Sequence, residues 1–295
     1  MRSPSMIRAL PRRALFALVL ISAGLLVPAA AFAGQGADKI DAITGAGAHF
    51  AWVIFHDLKP DLERRSGRKI ILYGKGSMLG VGCNAGIKLA RENRPGHETF
   101  GFVCCPLSKK EVRSTGLVVY PIAREPILIL VNDSNPVTDL SRAQVRAVFR
   151  GDIRNWKQVG GPDEPVVVVT RLHCKQRPGH WKTILPSVRD FRKDRLNVSS
   201  AAEMVQHVSD FPGAIGHTGS TWAFNHSDHV KPLRIDGYAP TAANLRSGHY
   251  PFYRVLSAVT NGHASADVRG IIREVQTGAA FRRVARKYHL LPLKQ

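Results

Sequence analysis

Arg171, His173, Cys174, Lys175 and Arg177 fall within one short run that Pro178-Gly179 closes. Guanidinium and ammonium groups at that density offer positive charge and hydrogen-bond donors to an anion. The thiol and imidazole among them are soft and borderline metal ligands. A thiol beside cations is also a candidate redox centre, because the cations favour its thiolate. Three more cysteines, Cys83 and the adjacent pair Cys104-Cys105, lie far off in sequence. Four cysteines allow up to two disulfides in three pairings. None shows the C-x-x-C or H-x-x-x-H regularity of a metal or redox motif. No Ser-His-Asp arrangement, paired carboxylates or nucleotide motif stands out either, so the chain reads as a binding protein and not an enzyme. The plain alternative for the run is a solvated basic loop.

The element in front of this run is a strand. Val166-Val167-Val168-Val169 reads as buried on both faces, as in a parallel sheet covered by helices. Ligands of open α/β sheets bind just outside the carboxyl ends of the strands, where Arg171 would stand. Further strands are expected at 39–44, 69–73, 100–103, 127–131, 214–216 and 253–259. Helices are expected from Phe50 (Phe50, Val53, Ile54, Leu58 and Leu62 on one face, Gly67 at the end) and at 83–91, 141–149, 201–208 and 268–288. This alternation argues for an α/β fold. Gly45-Ala46-Gly47-Ala48 and the glycine-rich turn 74–80 are expected loops that let backbone approach a ligand closely. The second can offer N–H groups at a helix start to an anion, although its spacing is neither a Walker A loop nor a dinucleotide fingerprint.

The chain has 295 residues, 44% of them hydrophobic, and a formal charge of +20. Residues 1–33 read as a secretory leader: Arg2, Arg8, Arg12 and Arg13, an apolar stretch 14–27, and Ala31-Phe32-Ala33 before the expected cut. The remaining chain of about 260 residues has room for one large domain or two lobes. It contains no apolar run long enough to cross a bilayer. A periplasmic location follows, and nucleic acid fits an exported chain poorly. The high positive charge suggests an anionic ligand or acidic partner.

Several segments together resemble the periplasmic phosphate-binding proteins of phosphate ABC transporters. They are Ile43-Thr44-Gly45-Ala46-Gly47-Ala48-His49-Phe50; Gly74-Lys75-Gly76-Ser77; Asn135-Pro136-Val137, Asn155-Trp156 and Val159-Gly160-Gly161-Pro162 leading to the valine strand and Arg171; Phe211-Pro212-Gly213-Ala214-Ile215-Gly216; and Tyr250-Pro251-Phe252-Tyr253-Arg254. The resemblance implies a type II periplasmic-binding-protein fold with mixed sheets flanked by helices and a cleft between two lobes. It places lobe I at 38–125 and 253–295, and lobe II at 126–252, with crossings near 124–127 and 253–258. It also implies a monomer without a cofactor, a small anionic solute as ligand, and an ABC permease as partner.

Carried over by position, the implied ligand shell is Ala48, His49, Phe50, Ser77, Cys104, Arg171, Cys174, Lys175 and Arg177. His49 stands where the family has threonine. Cys104 stands where it has the aspartate that accepts a proton from the ligand. The segment around Lys175 and Arg177 replaces the family's Ser-Gly-Thr. These changes gather Cys104, Cys105, His173 and Cys174 at the cleft, with Cys83 beside it. Three readings stay open: structural disulfides (Cys83 with Cys104 or Cys105, or a bridge from Cys174 across the lobes), a metal or cofactor site, or a redox-active thiol. The alternative function is therefore a periplasmic binding fold turned to metal, cofactor or redox work. Elsewhere, His207, His226, His229 and His263 read as surface residues, His217 and Trp181 as candidates to line the cleft, and Trp156 and Trp222 as packing.

Overall fold

Strand, loop and helix alternate as expected, in a computed structural model that describes residues 42–74, 82–174, 177, 179–224 and 229–293. The expected leader, together with Lys75, Ser77, Lys175 and His226, lies outside the described residues. In chain order the first elements are β1 (Ala42–Gly47), α1 (His49–Ser66), β2 (Lys69–Tyr73), α2 (Cys83–Arg91), β3 (Thr99–Val103), α3 (Lys109–Thr115) and β4 (Leu117–Asn132). Next come β5 (Asp139–Leu140), α4 (Arg142–Arg150), β6 (Val167–Thr170), β7 (Leu196–Asn197), α5 (Ala201–Asp210), β8 (Ala214–Gly219) and α6 (Ser220–Ala223). The chain closes with β9 (Val230–Pro232), β10 (Arg234–Ile235), α7 (Ala242–Arg246), β11 (Tyr253–Asn261), α8 (Ala266–Thr277), α9 (Ala279–Lys287) and β12 (Leu291–Pro292).

The main sheet is mixed and runs β2-β1-β3-β11-β4-β8-β6-β7, with β9 and β12 also paired to β4. β1 is parallel to both β2 and β3, and β6 is parallel to both β7 and β8. β4 joins these two parallel groups. Its first part pairs antiparallel with β11, and residues 127–131 pair with β8. Only 127–131 was expected as strand. Pro121 and Pro126 break the pattern upstream, since proline removes a ladder donor. The sheet accommodates Pro121 at a register shift, where Leu256 faces Ala123 but Ser257 faces Pro121.

Two buried clusters flank this sheet. In β4, Leu128 and Leu130 enter one and Ile127, Ile129 and Val131 enter the other, following the two-residue period of a strand. The first cluster contains Phe55, stacked on Phe102 and tilted against Phe100. Each fully buried phenylalanine contributes about 1.5–3 kcal/mol relative to exposure. The second contains Trp156, Trp181, Phe191 and Tyr250.

The stretch Gly45-Ala46-Gly47, expected as loop, is strand. β1 lies between β2 and β3, and the Phe100 ring covers it so closely that a Cβ at Gly45 would come within 2.5 Å of Cζ. The small residues therefore serve ring packing in a central strand. Gly101 of β3 meets α2 in the same way, since its Cβ would fall 2.0 Å from the Gly86 carbonyl oxygen. This close approach sets the start of α2, and hence Cys83, beside the end of β3. Among the described residues, no helix is long and apolar enough to cross a membrane.

Candidate functional site

The carboxyl ends of β1, β3 and β6 converge. β1 ends at Gly47, and Ala48 caps α1 while donating its N–H to the Phe102 carbonyl (3.0 Å). β3 runs into Cys104-Cys105, and β6 runs into Arg171. Ala48, His49, Phe50, Cys104, Arg171 and Cys174 line one cavity of about 30 Å³. These are six of the nine residues anticipated from sequence, and Gly82, Cys83 and His173 complete the described wall. Ser77 and Lys175 fall outside the described residues. Arg177 is described, and its guanidinium is engaged elsewhere: it ion-pairs with Glu111 of α3 and donates to Asn84 Oδ1 (2.5 Å). His49 turns its Nε2 to the Gly74 carbonyl (3.0 Å) and its ring toward Trp222 (5.7 Å).

All four cysteines are free thiols, so the expected disulfides give way to a cluster. Cys83 Sγ is 3.8 Å from Cys104 Sγ and accepts the Cys104 backbone N–H (3.3 Å). Cys104 and Cys105 sulfurs are 3.9 Å apart, and Cys105 Sγ donates to Cys174 Sγ at 2.8 Å. His173 Nε2 is 3.9 Å from Cys105 Sγ. Hydrogen bonds from Cys104, Cys105 and Cys174 hold the Cys83 thiol well below its ordinary value, against the opposing effect of burial. Cys105 is pushed up by its bonds to Cys104, Cys174 and Cys83. Cys174 has a left-handed backbone (φ 54°), a strained conformation for a residue other than glycine, asparagine or aspartate.

A row of basic groups backs this cluster. Arg171 donates Nε–H to the Ser199 carbonyl (2.9 Å), and burial lowers its pKa. Arg254, on β11, is 4% exposed and lies over the Phe50 ring, 3.7 Å from its centroid. Its Nε–H binds Glu125 Oε2 (2.6 Å) and its Nη1–H binds His180 Nδ1 (3.1 Å). Its buried Nη2 has no hydrogen-bond partner among the described residues. His180 Nε2 then meets His217 Nδ1 at 2.9 Å, and the Arg171 backbone N–H faces His217 Nε2 at 3.5 Å. An arginine has only donors. His180 therefore accepts at Nδ1, and the Arg171 backbone N–H donates to His217 Nε2 at the other end of the relay. Burial, then the charges of Arg171 and Arg254, pushes His173 down to about 3. Burial, then repulsion from His173, Arg171 and Arg254, does the same to His217, also to about 3. Both rings are neutral at pH 7.

Sequence reasoning placed His217 and Trp181 as candidates for the cleft. His217 is buried in this relay. Trp181 is buried behind the wall and holds the loop by donating Nε1–H to the His173 carbonyl (2.6 Å). Trp156 and Trp222 are buried packing residues, His229 and His263 are exposed, and His207 is half-buried. Glu125, Arg254 and the role of His180 escaped the sequence reading. The available signal was charge inside two largely apolar strand segments, Arg124-Glu125 before Pro126-Ile127 and Arg254 between Tyr253 and Val255.

Residues 37–281 match the family model described as the PBP superfamily domain. The phosphate-binding protein PstS of Bacillus subtilis is 28% identical over 159 residues, 53% of this chain and 51% of that protein. The chain thus spans about half the length of that relative. Protein SphX of Synechococcus elongatus is 24% identical over 294 residues, covering 92% of this chain and 85% of that protein. Among solved structures, a Clostridium perfringens protein with bound phosphate superposes with a TM-score of 0.71 at 23% identity, over 86% of this chain and 100% of that one. An ABC-type phosphate transport receptor from Vibrio cholerae gives a TM-score of 0.63 at 24% identity, over 84% and 99%. Both likenesses concern the fold, a mixed α/β sheet with flanking helices arranged as two lobes.

Proposed function

The chain belongs to the PBP superfamily, and from that premise we propose an exported solute-binding protein of the phosphate-binding type. It takes phosphate or another small oxyanion between two lobes, 38–125 with 253–295 and 126–252. The observation that carries this reading is Arg171 at the end of β6, facing the start of α1 across a cavity whose described lining includes no carboxylate. The N-terminal end of a helix and a half-buried guanidinium both favour negative charge there. The buried guanidinium of Arg254, stacked on Phe50, adds positive charge behind the same wall.

The relatives named above as phosphate-binding proteins support this reading, as does the ABC-type receptor of the same fold. A monomer that hands its solute to an ABC permease, without catalysis, follows from it. The lobes would close by bending where β4 and β11 cross between them, a hinge motion. Cys104, where the resemblance implies an aspartate acceptor, favours an anion with no proton to donate over hydrogen phosphate. Titration calorimetry with phosphate, arsenate and sulfate tests this. Binding of at least one of them, lost in Arg171→Ala, is expected. A well-folded chain that binds none of the three overturns the reading.

A further inference from the structure

We propose that Cys83, Cys105 and Cys174, with Cys104 beside them as a fourth sulfur donor, bind one thiophilic d10 metal ion, Zn²⁺ or Cu⁺. The Cys83, Cys105 and Cys174 sulfurs all lie within 4.8 Å of one another. So do the ligand atoms of Cys104, Cys105 and His173. A zinc–thiolate bond of about 2.3 Å sets sulfurs about 3.8 Å apart at the corners of a tetrahedron. Cys83 to Cys104 and Cys104 to Cys105, at 3.8 and 3.9 Å, already have that spacing. The Cys105–Cys174 contact is shorter at 2.8 Å, and Cys174 is the half-exposed member whose side chain has room to turn.

Three separate segments deliver these sulfurs: the first turn of α2, the residues just after β3, and the strained Cys174 in the loop after β6. A packed core has no need of four converging thiols, since alanine or valine fills such space equally well. The left-handed backbone at Cys174 holds a thiol where an unstrained chain would not place one. The donors are sulfur with a nearby imidazole, the set that soft and borderline ions prefer, and no carboxylate oxygen among the described lining residues competes. Zn²⁺ held by three thiolates, whose remaining thiol protons pass to solvent, makes a metal–thiolate unit with one negative charge. Cys83, Cys104, His173 and Cys174 line the cavity of about 30 Å³, and Cys105 is fully buried beside it with its sulfur 3.9 Å from that of Cys104.

The metal site stands beside the anion reading and does not depend on it, because the metal would sit on the thiols and the anion on Arg171. The test is to purify the full chain under reductant, strip it with chelator, and dialyse it against Zn²⁺ or, separately, Cu⁺ with an oxygen-free reductant. Metal content by mass spectrometry should reach one ion per chain in at least one arm. Co²⁺ should give sulfur-to-cobalt charge-transfer absorption in the near ultraviolet. Cys174→Ser, at the half-exposed position, and Cys105→Ser should each weaken loading more than tenfold and abolish that absorption while circular dichroism stays native. Arg171→Ala should still load metal. No loading of the reduced chain in either arm, or equal loading by both serine variants, overturns the proposal. So does a Cys105–Cys174 disulfide that persists in the reduced, chelator-treated protein. Loading by a chain that binds none of the three oxyanions leaves the metal site standing and overturns the anion reading alone.

Discussion

Glu125 and Arg254 face each other across β4 and β11, with Oε2 and Nε 2.6 Å apart and both side chains buried where the two strands cross between the halves of the sheet. Glu125 also accepts the Thr221 backbone N–H (3.0 Å) and hydroxyl, so the carboxylate ties α6 to both strands. Removing one partner of such a pair strands the other charge in a dry interior, which costs about 3–5 kcal/mol. Glu125→Ala should therefore lower the urea midpoint steeply. The double change Glu125→Gln, Arg254→Met should cost much less than that single change. Equal losses in equilibrium denaturation would show that the ion pair is not what the site depends on.

His217 links stability to acid. Its folded pKa is about 3, and His180, His173, Arg171 and Arg254 surround it. An unfolded histidine titrates near 6.5, so between these values the unfolded chain binds a proton that the folded one refuses. Its contribution is intact above about pH 6.5 and falls as pH drops toward 3, by up to about 1.4 kcal/mol per pH unit. His217→Gln should flatten the pH dependence of unfolding free energy in that window. An unchanged slope in chemical denaturation between pH 6.5 and 4.5 contradicts this account.

Arg177 and Glu111 clasp the loop after β6 to α3, a contact between the two proposed lobes. Arg177's hydrogen bond holds the Glu111 carboxyl below its ordinary range. Because both groups are partly exposed, the pair contributes only about 0–1 kcal/mol. Glu111→Gln should speed release of a bound solute by no more than about fivefold, an effect that shrinks in high salt. Stopped-flow dissociation at two ionic strengths reads both features, and a salt-independent effect would point to packing.

Gly101 keeps α2 against β3, where a Cβ would meet the Gly86 carbonyl at 2.0 Å. Gly101→Ala should cost about 1–3 kcal/mol by overpacking. By pushing Cys83 away from Cys104 it should also raise the reactivity of the buried thiols. Timed labelling with a thiol reagent under native conditions measures this, and unchanged labelling with native stability would show that α2 absorbs the extra carbon.

Much of the site is legible in the residue pattern alone. Four consecutive valines and the polar run after them mark β6 and the place where it delivers Arg171, because a doubly buried strand must end where its backbone reaches solvent or ligand. Small residues around Gly45 mark a tight site but suggest a loop. Their reason for being small, the Phe100 ring pressed on a central strand, belongs to packing that a single segment does not display. The strand from Leu117 is hidden by its two prolines, which the sheet tolerates through a register shift.

The sequence by itself determined the α/β alternation, the place of Arg171 after the valine strand, and the presence of four thiols with no motif spacing. Only the tertiary structure decided that those thiols form one cluster. It also decided that Arg177 belongs to Glu111, and that Glu125, Arg254, His180 and His217 make one buried relay. Local patterns record which face of an element is apolar, through periods of two and 3.6 residues. Contacts between Cys105 and Cys174, or Glu125 and Arg254, depend on strand order and register, which are set by how whole elements stack and leave no periodic trace in either segment alone.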